Sequence, residues 1–214
     1  VITTEGFRDI LELGRRTRPN PYGLTGTFRP LVPRDLRLEV AERMSAEGEV
    51  VTPLDEDAVR AAAQTLAGMG CESLLIHFFN SYANPEHERA IADIIRAKAP
   101  DLPFCISFDV LPEMKEYERT STTAVNAYLG PRVLRYLKEL NTRLADLGLK
   151  RPFLLVQSNG GMTSVDRIAT RPVNLLLSGP AAGVGALNAC RTASGTENLI
   201  AMEIGGTSCD VMLM

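Results

Sequence analysis

The sequence predicts an α/β chain: a mixed sheet flanked by helices. Three observations carry this expectation. Short apolar runs alternate with longer segments of helical periodicity. The links between them are short and rich in Gly, Pro, Asn and Asp. The balance of 45% hydrophobic and 23% charged residues over 214 positions suits a globular protein with a sizeable core.

Thr3-Thr4 followed by Phe7, Ile10 and Leu11 reads as a capped amphipathic helix to about Arg16. Pro19, Pro21, Gly23, Gly26, Pro30 and Pro33 then mark a loop. Leu36, Leu38 and Val40 alternate with Arg37, Glu39 and Ala41, the period of a half-buried strand. Asp55 is placed to cap a helix carrying Val59, Ala62, Ala63 and Leu66 on one face and ending near Gly68–Gly70. Leu74 to Phe79 is a buried strand. Asn84 and Pro85 open a second helix with Ile91, Ile94 and Ile95 inward, and Phe104 to Phe108 is the next strand.

Thr120 to Leu147 is the longest helical stretch, with an apolar seam at Val133, Leu137, Leu140, Leu144 and Leu147. Gly130-Pro131 is expected to break or kink it, since an interior proline costs about 3 kcal/mol. Phe153 to Gln157 and Val173 to Leu177 read as strands. A Gly/Ala-rich helix from about Pro180, a strand over Leu199 to Ile204, a Gly-Gly turn and a strand beginning at Asp210 complete the chain.

Composition excludes several functions. Net charge is −3 and the basic residues form no stripe, which argues against nucleic acid as partner. No apolar run reaches the roughly 18 residues of a membrane span. The four cysteines, Cys71, Cys105, Cys190 and Cys209, are far apart, so reduced thiols in a cytoplasmic protein are expected. His77 and His87 have no cysteine at ligand spacing and read as structural rather than zinc ligands.

The strongest chemical signal is Glu203-Ile-Gly-Gly-Thr-Ser-Cys-Asp210. Gly205 and Gly206 let a ligand approach the backbone and meet its N–H groups, as phosphate loops require. Thr207 and Ser208 add hydroxyls, and Glu203 and Asp210 are hard oxygen donors suited to Mg²⁺. An ordinary hairpin explains the same residues. Upstream, Ser178 as cap and Pro180 open a helix of small residues, which fits either an anion at its start or close packing alone. Two further segments stay open. Glu113, Glu116, Glu118 and Arg119-Thr-Ser-Thr-Thr123 are either a helix start capped by Thr120 or Ser121, or a substrate or interlobe contact. Gln157-Ser-Asn-Gly-Gly161 is either a ligand loop or a plain turn.

The small-residue helix, crossing strand and glycine hairpin together resemble the actin-like (ribonuclease H-like) ATPase superfamily. In that superfamily the hairpin is the second phosphate loop and opens lobe II. Five ordered blocks narrow the likeness: VITTEGFRDILELGRRTRPNPYGL, FNSYANPEHERAIADII, LPEMKEYERTSTTAVNAYLGP, LVQSNGGMTS and LLLSGPAAGV. In this order they resemble the hydantoinase A/oxoprolinase family.

That resemblance implies a lobe I with the first hairpin of lobe II. Residues 1–119 would be the C-terminal part of the family's N-terminal region, and 120–214 the first part of its core, with lobe II from near 197. It implies a fragment of an ATP-hydrolysing subunit that opens cyclic amides by phosphorylating them, or of an ATP-dependent ketone carboxylase. A nucleotide-dependent binding module is the reading from another class. ATP and Mg²⁺ are the implied cofactors, and a hydantoinase B-like subunit the implied partner. Gly205, Gly206, Thr207 and Ser208 would meet the β- and γ-phosphates, with Asp210 and Glu203 near the metal. The family's first acid here is aspartate, where this chain has Glu203, and Cys209 stands where many members have threonine. The family's first phosphate loop and adenosine-binding segments are absent from this sequence, so weak ATP binding and no turnover are expected of these residues alone.

Overall fold

The computed structural model describes residues 1–13, 20, 22–23, 26, 28–206 and 208–214. They form two compact units, 1–131 and 132–214.

The first unit is built on β1 (Ile2–Thr4), β2 (Leu38–Val40), a small hairpin of β3 (Arg43–Met44) and β4 (Val50–Thr52), α1 (Glu56–Gly68), β5 (Leu74–His77), α2 (Glu86–Lys98), β6 (Phe104–Ile106), the short α3 (Ser107–Val110) and the start of α4 (Glu116–Asp146). Four strands form a parallel sheet in the order β2-β1-β5-β6. The chain moves from β1 to one side and then returns to the other side for β5. The gap between the ends of β1 and β5 is therefore the topological switch point, where parallel sheets gather polar groups.

Residues of alternate parity build two cores. Ile2, Val40, Leu74, Ile76 and Ile106 pack under Val59 and Leu66 of α1 and Ile91 and Ile95 of α2. Each such fully buried aliphatic side chain contributes about 1.5–3 kcal/mol. On the other face, Val1 and Leu75 pack against Ala124 of α4. The α/β architecture with a helix-covered sheet is the one expected.

The α1 start holds, and α2 begins one residue later than expected, at Glu86, with Pro85 in the cap position. The Asp55 carboxylate accepts from the Ala58 N–H at 2.9 Å, and the Asn84 carbonyl oxygen accepts from the Glu86 N–H at 3.0 Å. The amino terminus differs. Thr3 and Thr4 lie in a central strand, and among the described residues the helical structure nearby is a 3₁₀ turn at Ile10–Glu12. Pairing with β2 and β5 outweighs the local capping signal. Arg16, the expected end of that helix, lies outside the described residues, as do Pro19 and Pro21. The strand expected to reach Phe108 stops at Ile106, where α3 begins.

α4 starts at Glu116, so Thr120 and Ser121 are inside it and not its caps. The Thr120 hydroxyl instead donates to the Glu116 carbonyl at 2.7 Å. The expected break at Gly130-Pro131 is absent, and α4 runs through both residues.

The second unit continues with β7 (Leu154–Val156), β8 (Met162–Ser164), α5 (Val165–Ile168), α6 (Ser178–Ser194), β9 (Ile200–Ile204) and β10 (Cys209–Leu213). β7–β8 and β9–β10 are antiparallel hairpins. The strand expected over Val173–Leu177 is a 3₁₀ turn at Pro172–Leu175, because Pro172 supplies no N–H and favours a turn start. Among the described residues, no helix is long and apolar enough to cross a membrane.

Candidate functional site

The predicted phosphate loop is a real hairpin tip in the second unit. β9 and β10 pair from Ile200–Leu213 to Ile204–Cys209, which places Glu203 directly opposite Asp210. The Gly205 N–H donates to the Ser208 carbonyl at 2.9 Å and closes the turn. The Ser208 hydroxyl lies 3.4 Å from an Asp210 carboxylate oxygen. Thr207 lies outside the described residues.

The glycines here are not needed by the chain's own geometry. Neither adopts a positive φ, a Cβ at Gly206 would meet nothing within 4 Å, and one at Gly205 would meet only the Ser208 carbonyl, at 3.6 Å. What they leave is open space beside the backbone, the room an approaching phosphate requires. Two carboxylates and one hydroxyl form a partial set of hard donors, which fits Mg²⁺ if phosphate and water complete the shell. Glu203 and Asp210 share the side of the hairpin that faces α6. A Cβ at Gly183 of α6 would lie 3.1 Å from a Glu203 carboxylate oxygen and 2.8 Å from the Met212 methyl. Gly183 is thus where the helix admits the hairpin's acid.

α6 begins at Ser178, but Leu177 occupies the cap position in a left-handed conformation, φ 57°, with no side-chain cap bond. Ser178 is therefore the first helical residue and not the expected cap. The Gln157–Gly161 segment is the β7–β8 turn, held by Gln157 N–H to Gly161 carbonyl at 2.8 Å and Gly161 N–H to the Asn159 side chain at 2.9 Å. Outside the turn, the Ser158 N–H donates to the Asn174 carbonyl at 2.7 Å and the Gln157 side-chain oxygen accepts from the Asn174 amide at 3.2 Å.

The first unit holds a second polar assembly, at the switch point. Arg119 of α4 is fully buried. Its guanidinium donates to the Phe78 carbonyl and the Glu113 carbonyl, each at 2.9 Å, to the Ser107 hydroxyl at 3.2 Å, and to Glu116. Glu88 of α2 is buried as well and accepts from the N–H groups of Phe78 and Phe108 and from the Ser107 hydroxyl. Thr4 at the end of β1 donates to Glu42, which also sits 2.8 Å from His87 Nδ1. His77 Nε2 lies 2.8 Å from Glu116, an ion-pair distance without hydrogen-bond alignment, and its Nδ1 has no partner. Burial pulls the Glu116 pKa upward, but His77 and Arg119 outweigh it and hold the carboxyl below its ordinary range.

Both histidines are buried beside a carboxylate, His77 by Glu116 and His87 by Glu42. Among the described residues no group of three or more His, Cys, Asp or Glu could hold a metal ion. Sequence reasoning found Glu116 and Arg119 but missed Asn80, whose N–H donates to Glu116 at 3.3 Å, and Glu88, joined to Arg119 through Ser107. One signal was available. Glu88 shares a helical face with Ile91, Ala92 and Ile95, and a charge on an apolar face calls for a buried partner.

Two family models match the chain in order, hydantoinase/oxoprolinase N-terminal region over residues 1–99 and hydantoinase/oxoprolinase over 119–214. The chain belongs to the hydantoinase/oxoprolinase family. It is 38% identical to an uncharacterized protein of Methanocaldococcus jannaschii over 97% of its length, and 35% identical to caprolactamase subunit alpha of Pseudomonas jessenii over its whole length. The crystal structure of the ATP-dependent caprolactamase from that organism superposes with a TM-score of 0.85 over 99% of the chain. Nucleotide-free acetone carboxylase superposes equally well, TM-score 0.85 at 31% identity over 99% of the chain. The chain spans 31% of the length of each of these relatives.

Proposed function

We propose that these residues belong to the ATP-hydrolysing subunit of an enzyme that opens cyclic amides by phosphorylating them. The observation that carries the reading is the 203–210 hairpin. It joins an open glycine backbone to two opposed carboxylates and a hydroxyl, in a chain similar to a caprolactamase subunit throughout. When bound, ATP would supply the phosphoryl group that turns the poorly electrophilic amide carbon into one that water can attack, so that the ring nitrogen can leave. Gly205, Gly206, Thr207 and Ser208 would hold phosphate oxygens, and Asp210 and Glu203 would hold Mg²⁺ directly or through water. In this reading residues 1–119 belong to the family's N-terminal region and 120–214 to its core, lobe II opening near 197. The relatives' designation as subunits supports a second, hydantoinase B-like chain as partner. Spaced cysteines, none in a disulfide, support a cytoplasmic location. The hairpin supplies only part of a nucleotide site, so no turnover is expected of the 214 residues alone.

A ketone carboxylase is the second reading, favoured by the equal superposition on acetone carboxylase. The two separate by steady-state ATPase of the full-length subunit with its partner, against hydantoins, oxoproline, lactams and small ketones. Stimulation by a cyclic amide is the expected result. Stimulation only by a ketone with bicarbonate would move the protein to the carboxylase branch.

A further inference from the structure

α6 carries Gly179, Gly183 and Gly185, although glycine is the poorest helix former after proline. A Cβ at Gly179 or Gly185 would meet nothing within 4 Å, so packing does not ask for glycine at either position. Gly183 differs. A Cβ there would lie 2.8 Å from the Met212 methyl, 3.0 Å from the Met212 sulfur and 3.1 Å from a Glu203 carboxylate oxygen. A methyl group at this position therefore displaces Met212 and crowds Glu203.

Strand register brings these two side chains to α6 together. Glu203 pairs with Asp210 and Ala201 with Met212, so all four share one side of the hairpin, with Met212 diagonally across from Glu203. Among the described residues no hydrogen bond or ion pair holds the Glu203 carboxylate. Packing against the bare backbone at Gly183 and against Met212 sets where it stands.

We infer that Gly183 is a positioning residue: its missing side chain lets the Glu203 carboxylate occupy the place from which it and Asp210 share one cation. The inference rests on the metal reading of the hairpin and adds the residue that fixes its geometry. Gly183 acts through Glu203, not by touching metal or phosphate. Mg²⁺ demands near-ideal octahedral geometry, so moving one carboxylate by a few tenths of an ångström weakens the metal more than the nucleotide.

The test uses the full-length subunit with its partner and calorimetric affinities for two probes, MgADP and ADP in EDTA. Their ratio reports what the metal adds. Gly183→Ala should lower that ratio about tenfold, the scale of losing a group that orients a metal ligand, and leave the affinity for ADP in EDTA unchanged. Gly185→Ala makes the same change to α6 in open space and should alter neither affinity. Glu203→Asp draws the carboxylate back from Gly183 by one methylene, so adding G183A to E203D should lower the ratio no further.

An unchanged ratio in G183A overturns the inference. So does an equal fall with and without E203D, which routes the effect through Met212 or helix packing. An equal loss of both affinities overturns it too, because it marks a merely structural role. Glu203→Gln separates the inference from the metal reading. If E203Q lowers the ratio and G183A does not, the inference fails and the reading stands. If E203Q keeps the wild-type ratio, or the wild type binds MgADP no better than ADP in EDTA, both fail.

Discussion

Glu203 on β9 and Asp210 on β10 are direct cross-strand partners, two acids facing each other on the side of the hairpin that meets α6. Like charges in this register repel, and a bound cation reverses the sign. In the absence of divalent metal, Glu203→Gln should stabilise the protein by about 0.5 kcal/mol. Thermal unfolding in EDTA and in Mg²⁺ checks this. The variant should melt higher in EDTA, and Mg²⁺ should raise the wild type more than the variant. An equal Mg²⁺ response would remove Glu203 from the metal site.

Arg119 joins the end of β5, the start of α3 and the loop before α4 through a single buried guanidinium. Removing it takes the guanidinium from Glu116 and a donor from the Phe78 and Glu113 carbonyls. Arg119→Ala should cost about 3–5 kcal/mol in urea denaturation, the scale of breaking a buried ion pair. Arg96→Ala, whose ion pair with Asp93 is mostly exposed, should cost little.

Glu116 gives that assembly a pH dependence. Its folded pKa is depressed, so its contribution is present above the unfolded value of about 4.3 and is lost as pH falls through the folded one. Glu116→Gln should therefore be less stable than wild type near neutral pH, and the gap should close as the solution is acidified. A gap that stays constant from neutral to acid pH would show that the carboxylate contributes no charge-dependent stability.

The cysteines should differ in reactivity. Desolvation pushes the Cys105 thiol up to about 12, and its sulfur contacts the Thr123 carbonyl, whereas Cys190 and Cys209 are exposed. Since the thiolate is the nucleophile, iodoacetamide near pH 8 should label Cys190 and Cys209 at least about tenfold faster than Cys105. Peptide mapping over time reads this directly.

Much of the fold was legible because its signals are local. Asp55 caps α1 where expected, and the apolar faces of α1 and α2 follow helical spacing. β1 was not legible. Three residues carry no period, and their strand state is decided by partners more than 30 residues away. Pro131 does not end α4, because its local penalty is outweighed along a helix of 31 residues. Of the candidate site, the hairpin and its acids were visible as a motif. The close approach of Glu203 to Gly183 depends on how α6 meets the hairpin, which spacing alone does not show. The switch-point assembly is likewise tertiary: Thr4, Glu42, Glu88 and Arg119 are spread over more than a hundred residues.

The most direct test of the phosphate-loop reading is MgATP hydrolysis by the full-length subunit with its partner, comparing wild type with Asp210→Asn at saturating activating substrate. Asp210 is half-buried beside the loop hydroxyl, and the substitution keeps its size while removing its charge. A fall in kcat of at least about 100-fold is expected, the scale of losing one preorganised charge-stabilising group, with the urea midpoint no lower than that of the wild type. A kcat within about threefold of wild type would contradict the assignment of the 203–210 hairpin to the nucleotide's phosphates and metal.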